Sequence, residues 1–176
     1  EATSATGVSI DGLKIKDYSL MYGSNIGLTV SSDGYVLKPN MPAFSAYKDD
    51  VTADPNDATT PIAFDHVYFN QGNHYTTSGA NAGKFICPVA GIYFFYASCL
   101  SSQAAGTKRV RIFKNGNKTS GEIRLDQSFY QWGITNAIIS CSENDNIFVN
   151  YHDTTADSDL YSDNTPYQTF GGFLIG

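Results

Sequence analysis

Phe69 to Phe95 reads FNQGNHYTTSGANAGKFICPVAGIYFF. Its apolar residues are aromatic or β-branched, and its punctuation is Gly, Asn, Ser and Pro, so it reads as two strands joined at a tight turn, Pro88 to Ala90, behind a polar loop. Within the second strand, Tyr93, Phe95, Ala97 and Cys99 share one face, as a strand buried on one side requires. Working outward, Ala43–Lys48 reads as a strand, Asp49–Pro61 as a polar loop, and Ile62–Asn70 as an alternating strand. Further along, Val110–Lys114 and Ser120–Leu125 form a hairpin over Asn115-Gly116, a strong two-residue turn signal. Ile134–Cys141, Ile147–Tyr151 and Thr169–Ile175 complete the series, with a polar loop between the last two. No segment of ten residues carries a 3.6-residue apolar period, so the class is all-β, a sandwich or jelly roll.

Residues 1–7 read as a flexible leader. Residues 8–38 form a strand-rich arm: Val8, Ile10, Leu13, Ile15, Ile26, Leu28 and Val30 alternate with polar positions, and Gly12, Gly23, Gly27 and Gly34 interrupt them. Pro39-Asn40-Met41-Pro42 marks a boundary, since Pro interrupts strand pairing. The expected organisation is an arm at 1–40 and a globular domain at 41–176.

The 176 residues carry a formal net charge of −6, and the largest basic cluster is Lys108-Arg109-Val110-Arg111. A surface that tracks nucleic-acid phosphates is therefore excluded. No apolar run is long enough to span a membrane. The chain opens at Glu1 without Met or a signal-like segment, which reads as a processed or trimmed start. The three cysteines, Cys87, Cys99 and Cys141, lie in apolar strands without metal-ligand spacing, and their odd number leaves at least one outside any internal pair. Asn117-Lys118-Thr119 is a glycosylation sequon in a turn, which fits a secreted glycoprotein.

Catalytic chemistry finds no support. The histidines, His66, His74 and His152, accompany no nucleophile elbow, and Glu122 and Glu143 both sit near turns rather than as a facing pair. No Walker loop, dinucleotide fingerprint or zinc spacing occurs. The reading is a non-enzyme.

Several motifs, in order, carry a resemblance. They are Ala43-Phe44-Ser45-Ala46, N-x-x-x-H-Y at Asn70–Tyr75, G-K-F-x-C-x-x-x-G-x-Y-x-F at Gly83–Phe95, Ile112-Phe113-Lys114-Asn115-Gly116, Asn144–Val149 and Phe170-Gly171-Gly172-Phe173-Leu174-Ile175. From about Ala43 onward the chain resembles the globular head family of complement component 1q. The resemblance implies a ten-strand jelly-roll β-sandwich, similar in shape to tumour necrosis factor, that assembles as a homotrimer. Family members often carry a collagen stalk; this sequence has no Gly-X-Y repeat and has the arm instead. Some members hold calcium with an Asp directly after the His-Tyr pair. Here that position is Thr76, at the head of an extended Thr76–Ala82 loop, and a second acidic position is Thr107, so no cofactor and no metal site of the family kind is expected. Asp153, Asp157, Asp159 and Asp163 offer oxygen ligands elsewhere.

By resemblance to stalk-free relatives, the expected function is a secreted, extracellular, lectin-like recognition protein of innate immunity, whose partners are glycans or microbial surfaces. Sugar recognition asks for aromatic faces and hydroxyl-binding side chains, and the loop from His152 to Tyr167 supplies both. The expected contacts are His152, Asp153, Asp159, Tyr161, Asn164 and Tyr167. Lys108 and Arg109, with Arg111 and Arg124 nearby, are candidates for the carboxylate of a sialic acid. The alternatives are a receptor-binding signalling or adhesive ligand, and a calcium-binding matrix or fluid protein.

Overall fold

The computed structural model describes residues 9–10, 13–16, 18–49, 60–102, 107–125, 130–153, 160–161, 163 and 165–176, with 9–10, 13–16 and Asp153 described by their backbone alone. The leader at 1–7, the middle of the Asp49–Pro61 loop at 50–59, and residues 154–159, 162 and 164 lie outside them. The chain divides into two compact units, Glu1–Met41 and Pro42–Gly176.

The first unit is one antiparallel meander of short strands, in chain order: β1 (Ser9–Ile10), β2 (Leu13–Lys16), β3 (Ser19–Tyr22), β4 (Asn25–Val30) and β5 (Val36–Leu37). Gly23, at φ +60°, supplies the left-handed residue of the β3–β4 turn. The Ser19 and Thr29 hydroxyls pair across β3 and β4 at 3.0 Å, and the Asn40 side-chain amide donates to the Ile26 carbonyl at 2.8 Å.

Among the described residues, the second unit holds ten strands: β6 (Ala43–Lys48), β7 (His66–Gln71), β8 (Tyr75–Thr76), β9 (Lys84–Ile86), β10 (Gly91–Leu100), β11 (Lys108–Lys114), β12 (Asn117–Leu125), β13 (Trp132–Cys141), β14 (Asn146–Asp153) and β15 (Gln168–Leu174). They form two five-stranded antiparallel sheets. The first runs β13-β10-β15-β6-β7 and the second β12-β11-β14-β9-β8. This is the ten-strand jelly-roll sandwich that the resemblance implied.

Period-2 alternation sets the core. Tyr93, Phe95, Ala97 and Cys99 of β10 all face inward and are buried, as are Ala137, Ile139 and Cys141 of β13 and Phe170 of β15. From the opposite sheet come Val110, Ile112, Ile147, Val149, Tyr151 and Phe85. Phe44 stacks on Tyr75 and on Phe85 at 4.8 and 4.9 Å and meets Phe170 edge-on at 4.9 Å, so one aromatic cluster joins the two sheets. Asn115 and Gly116, at φ +50° and +77°, make the β11–β12 turn, and Lys114 pairs with Asn117. That register opens β11 and β12 earlier than the sequence reading placed them.

Two expectations need correction. Ile62–Asn70 is not one strand: β7 begins at His66. Ile62 and Phe64 are buried ahead of it, where the Ile62 amide donates to the Val149 carbonyl at 2.8 Å and the Tyr75 hydroxyl donates to the Phe64 carbonyl at 2.8 Å. The alternation at 62–64 thus comes from a segment that plugs the core, not from a ladder. Nor is Pro88–Ala90 a hairpin turn. β9 pairs with β8 and β14, whereas β10 pairs with β13 and β15, so the turn carries the chain between sheets.

The outer face of the first sheet is apolar. Phe94, Ile134, Ile138 and Phe173 line its middle, with the Tyr96 and Ser45 hydroxyls in contact at 3.1 Å. Ile134 and Ile138 are 65% and 67% exposed, which is far from usual for isoleucine on a finished surface.

Candidate functional site

The registers bring the starts of β7, β11, β13 and β15 and the ends of β6, β10, β12 and β14 to one end of the sandwich. Of the expected contacts, Lys108, Arg109, His152, Tyr161 and Tyr167 all fall at this end, as does the backbone of Asp153. Asp159 and Asn164 lie outside the described residues.

Two groups form there. The first is aromatic. Tyr161 meets Tyr130 at 4.5 Å and Tyr167 at 5.5 Å, and Tyr167 meets Trp132 edge-on at 6.0 Å. Trp132 and Tyr130 keep about half their surface in solvent, at 51% and 46%. The cluster is held by the closure of the first sheet: Trp132 is the Cα partner of Leu100, whose carbonyl accepts from the Tyr161 amide at 2.8 Å, and the Gln168 side-chain amide donates to the Tyr161 carbonyl. The Tyr161 hydroxyl donates to the Asp163 carboxylate at 3.1 Å, which pushes its pKa up to about 12. It is a neutral donor at every physiological pH.

The second group is cationic and lies on the outer face of the second sheet. Arg124, Arg109 and His152 form one cross-strand row, and Glu122, Arg111 and Asn150 the next. Arg111 is nearly buried, and its Nε donates to the Glu122 carboxylate at 2.7 Å. Arg109 Nε and His152 Nδ1 are shielded from solvent and make no hydrogen bond among the described residues. The same holds for Ser102 Oγ, Gln131 Oε1 and Gln168 Oε1, all at this end. Such atoms are rare in finished interiors and gather where polar ligands or water complete the surface.

Lys108 is a correction. It is 0% exposed, because it shares the inward parity of Val110 and Ile112 on β11, so it has no surface to offer a ligand. Tyr130 and Trp132 belong to the ring group but are not among the residues expected from the sequence. The signal was present: the single Trp of the chain sits in Tyr130-Gln131-Trp132, at the head of a strand.

Other candidate positions fall elsewhere. Thr76, in β8, pairs with Lys84 and its carbonyl accepts from Gly83 at 2.8 Å; a hydroxyl stands where the resemblance would place a calcium-binding carboxylate, and the position does not fit that ion. His74 packs edge-on against Phe85 at 6.2 Å, and burial lowers its pKa. Asn117 opens β12 exposed at the hairpin, while the Thr119 hydroxyl of its sequon donates to the Ile112 carbonyl at 2.7 Å. Among the described residues, Asp49, Asp65 and His66 form one further group of possible ligand atoms; His66 Nε2 lies 3.1 Å from Asp49 and stacks on Tyr47, the geometry of an ordinary His–Asp pair.

Comparison with known proteins agrees with this architecture. The C1q domain family model matches residues 43–175. Human complement C1q and tumor necrosis factor-related protein 9A is 29% identical over 116 residues, covering 65% of this chain and 33% of that protein. Mouse complement C1q tumor necrosis factor-related protein 2 is 28% identical over 137 residues, covering 76% and 44%. The chain thus spans less than half the length of either relative. Among solved structures, the globular domain of zebrafish complement 1qA protein aligns over 77% of this chain and 98% of that one, with a TM-score of 0.58 at 19% identity. Murine APRIL aligns over 77% and 99%, with a TM-score of 0.56 at 13% identity, and both likenesses are of fold. The chain belongs to the C1q domain family, whose members recognise and signal rather than catalyse.

Proposed function

We propose that this chain is a secreted, carbohydrate-binding recognition protein that acts as a homotrimer. The observation that carries the reading is the group of four rings, Tyr130, Trp132, Tyr161 and Tyr167, at the loop-bearing end of a rigid sandwich. Half-exposed indole and phenol faces stack on the C–H face of a pyranose, and the Asp163 carboxylate, hydrogen-bonded to Tyr161, stands beside them for hydroxyls. Arg109 and Arg124, in one row with His152, supply positive charge in a chain of net charge −6, which favours an acidic sugar such as sialic acid.

The trimer is supported by the apolar outer face of the first sheet. Ile134, Ile138, Phe94 and Phe173 would be covered by neighbouring copies, and removing them from water drives association. Three weak sites on one rigid body then act by avidity on a repetitive microbial or cell surface. A glycan array probed with wild-type protein and with Trp132→Ala tests the reading. Binding to a defined glycan set, lost in the variant, supports it; a blank array at saturating trimer counts against it.

A second reading is a receptor-binding ligand. It is favoured by β7, the edge strand of its sheet among the described residues, whose Val67, Tyr68 and Phe69 are all exposed. A nanomolar protein partner lost on Tyr68→Ala would favour it.

A further inference from the structure

The end of the sandwich away from the candidate site places two buried cysteines close together. Cys87 follows β9 of the second sheet, and Cys141 closes β13 of the first. Both are core residues, 0% and 4% exposed. The Cys87 amide donates to the Asp145 carbonyl at 2.8 Å, and its carbonyl accepts from the Asn144 amide at 2.8 Å. Those partners belong to the turn that leaves Cys141, so the backbone holds the two cysteines side by side whatever their side chains do. The Cys141 thiol reaches the Ile139 carbonyl at 3.8 Å, and both cysteines belong to the one core cluster between the sheets. Cys99 is remote. It lies eight residues along β10 from Gly91, the cross-strand partner of Cys141, or about 27 Å at the usual strand rise.

We propose that Cys87 and Cys141 form an internal disulfide that staples the two sheets together. The Cys141 sulfur, as thiolate, attacks a small-molecule disulfide such as oxidised glutathione and releases one glutathione thiolate. Cys87 then gives up its proton to that thiolate and attacks the Cys141 sulfur, releasing the second glutathione. Two protein thiols and one glutathione disulfide thus become one protein disulfide and two glutathione thiols. The neighbouring thiol raises the pKa of Cys87 and lowers that of Cys141, a direction consistent with Cys141 attacking first. Because both sulfurs are buried, the exchange takes place during folding or on transient opening of this end. The inference stands on the backbone placement of the two buried cysteines and is independent of the glycan reading.

The test uses the full chain refolded in a glutathione redox buffer, acid-quenched, unfolded and titrated with Ellman's reagent. One titratable thiol per chain is expected, at Cys99, with a mass about 2 Da below the reduced chain and a proteolytic fragment joining Cys87 to Cys141. Dithiothreitol should restore three titratable thiols and lower the Tm by on the order of 10 °C, because the linkage closes a long loop. Cys141→Ser should titrate two thiols in either buffer. Three thiols in oxidised wild-type protein, or a linkage through Cys99, would overturn the proposal without touching the glycan assay.

Discussion

Replacing Asp145 with Asn should produce a stability loss that is present at neutral pH and vanishes in acid. The Asp145 carboxylate is half-buried between two turns and accepts three hydrogen bonds: from Lys114 Nζ at 2.8 Å, from the Asn115 side-chain amide at 2.6 Å and from the Ser142 amide at 2.7 Å. It thereby ties the β13–β14 turn to the β11–β12 hairpin. Lys114, then Asn115 and Ser142, hold its pKa at about 2 instead of 3.8. At 1.36 kcal/mol per pKa unit that difference is about 2.4 kcal/mol, but Lys114 is 31% exposed and water screens the pair, so ~1–2 kcal/mol is expected. A carboxyl whose folded pKa lies below its unfolded value contributes fully above the unfolded value. That contribution is lost as pH falls toward the folded one. Urea unfolding of both proteins at fixed chain concentration, from pH 7 to pH 2, should therefore show Asp145→Asn less stable by ~1–2 kcal/mol at pH 7, with the gap closing between about pH 4 and pH 2. A gap that stays constant through acid, or no gap at pH 7, would refute the latch. The position is at the opposite end from the aromatic group, so glycan binding should not change.

Phe95→Ala removes a fully buried ring that touches Phe85, Tyr93 and Phe170, and should cost ~3–5 kcal/mol in chemical unfolding. Gly172→Ala should be worse than its size suggests, because a Cβ there would lie 2.3 Å from Phe95 Cδ1 and 2.8 Å from the Phe94 carbonyl oxygen; little soluble protein is expected at 37 °C, whereas Gly27→Ala, whose Cβ meets nothing nearer than 3.6 Å, should express. Ile138→Glu places a charge in the middle of the apolar outer face and should reduce the solution mass from about 57 kDa to that of the 19.1 kDa chain, read by light scattering, with the circular dichroism unchanged.

The sandwich was legible because its strands are buried on one side only. On β10 every second residue from Tyr93 to Cys99 is core, and that parity is visible in the letters alone. Ile62 and Phe64 misled for the same reason: a core plug and a half-buried strand write the same alternation over three residues. The Pro88–Ala90 turn misled because a turn's length says nothing about which sheet receives the next strand. At the site, Lys108 sits in a basic run that reads as exposed, yet its parity with Val110 and Ile112 already points inward. Trp132 and Tyr130 could not be grouped with Tyr161 and Tyr167 from the sequence, since some thirty residues separate the two pairs and only the closure of β10, β13 and β15 brings them together.

The central claim is that the ring group at the loop-bearing end binds sugar. Surface plasmon resonance on an immobilised polyvalent glycan taken from the array tests it most directly, with wild-type, Trp132→Ala and Asp145→Asn proteins at equal trimer concentration. The account predicts that Trp132→Ala loses at least about fivefold in apparent affinity, taking the about 1–3 kcal/mol of a base stacked on an aromatic face as the scale for a sugar, while Asp145→Asn binds as the wild type does. Equal binding by all three proteins would place recognition elsewhere and contradict the account.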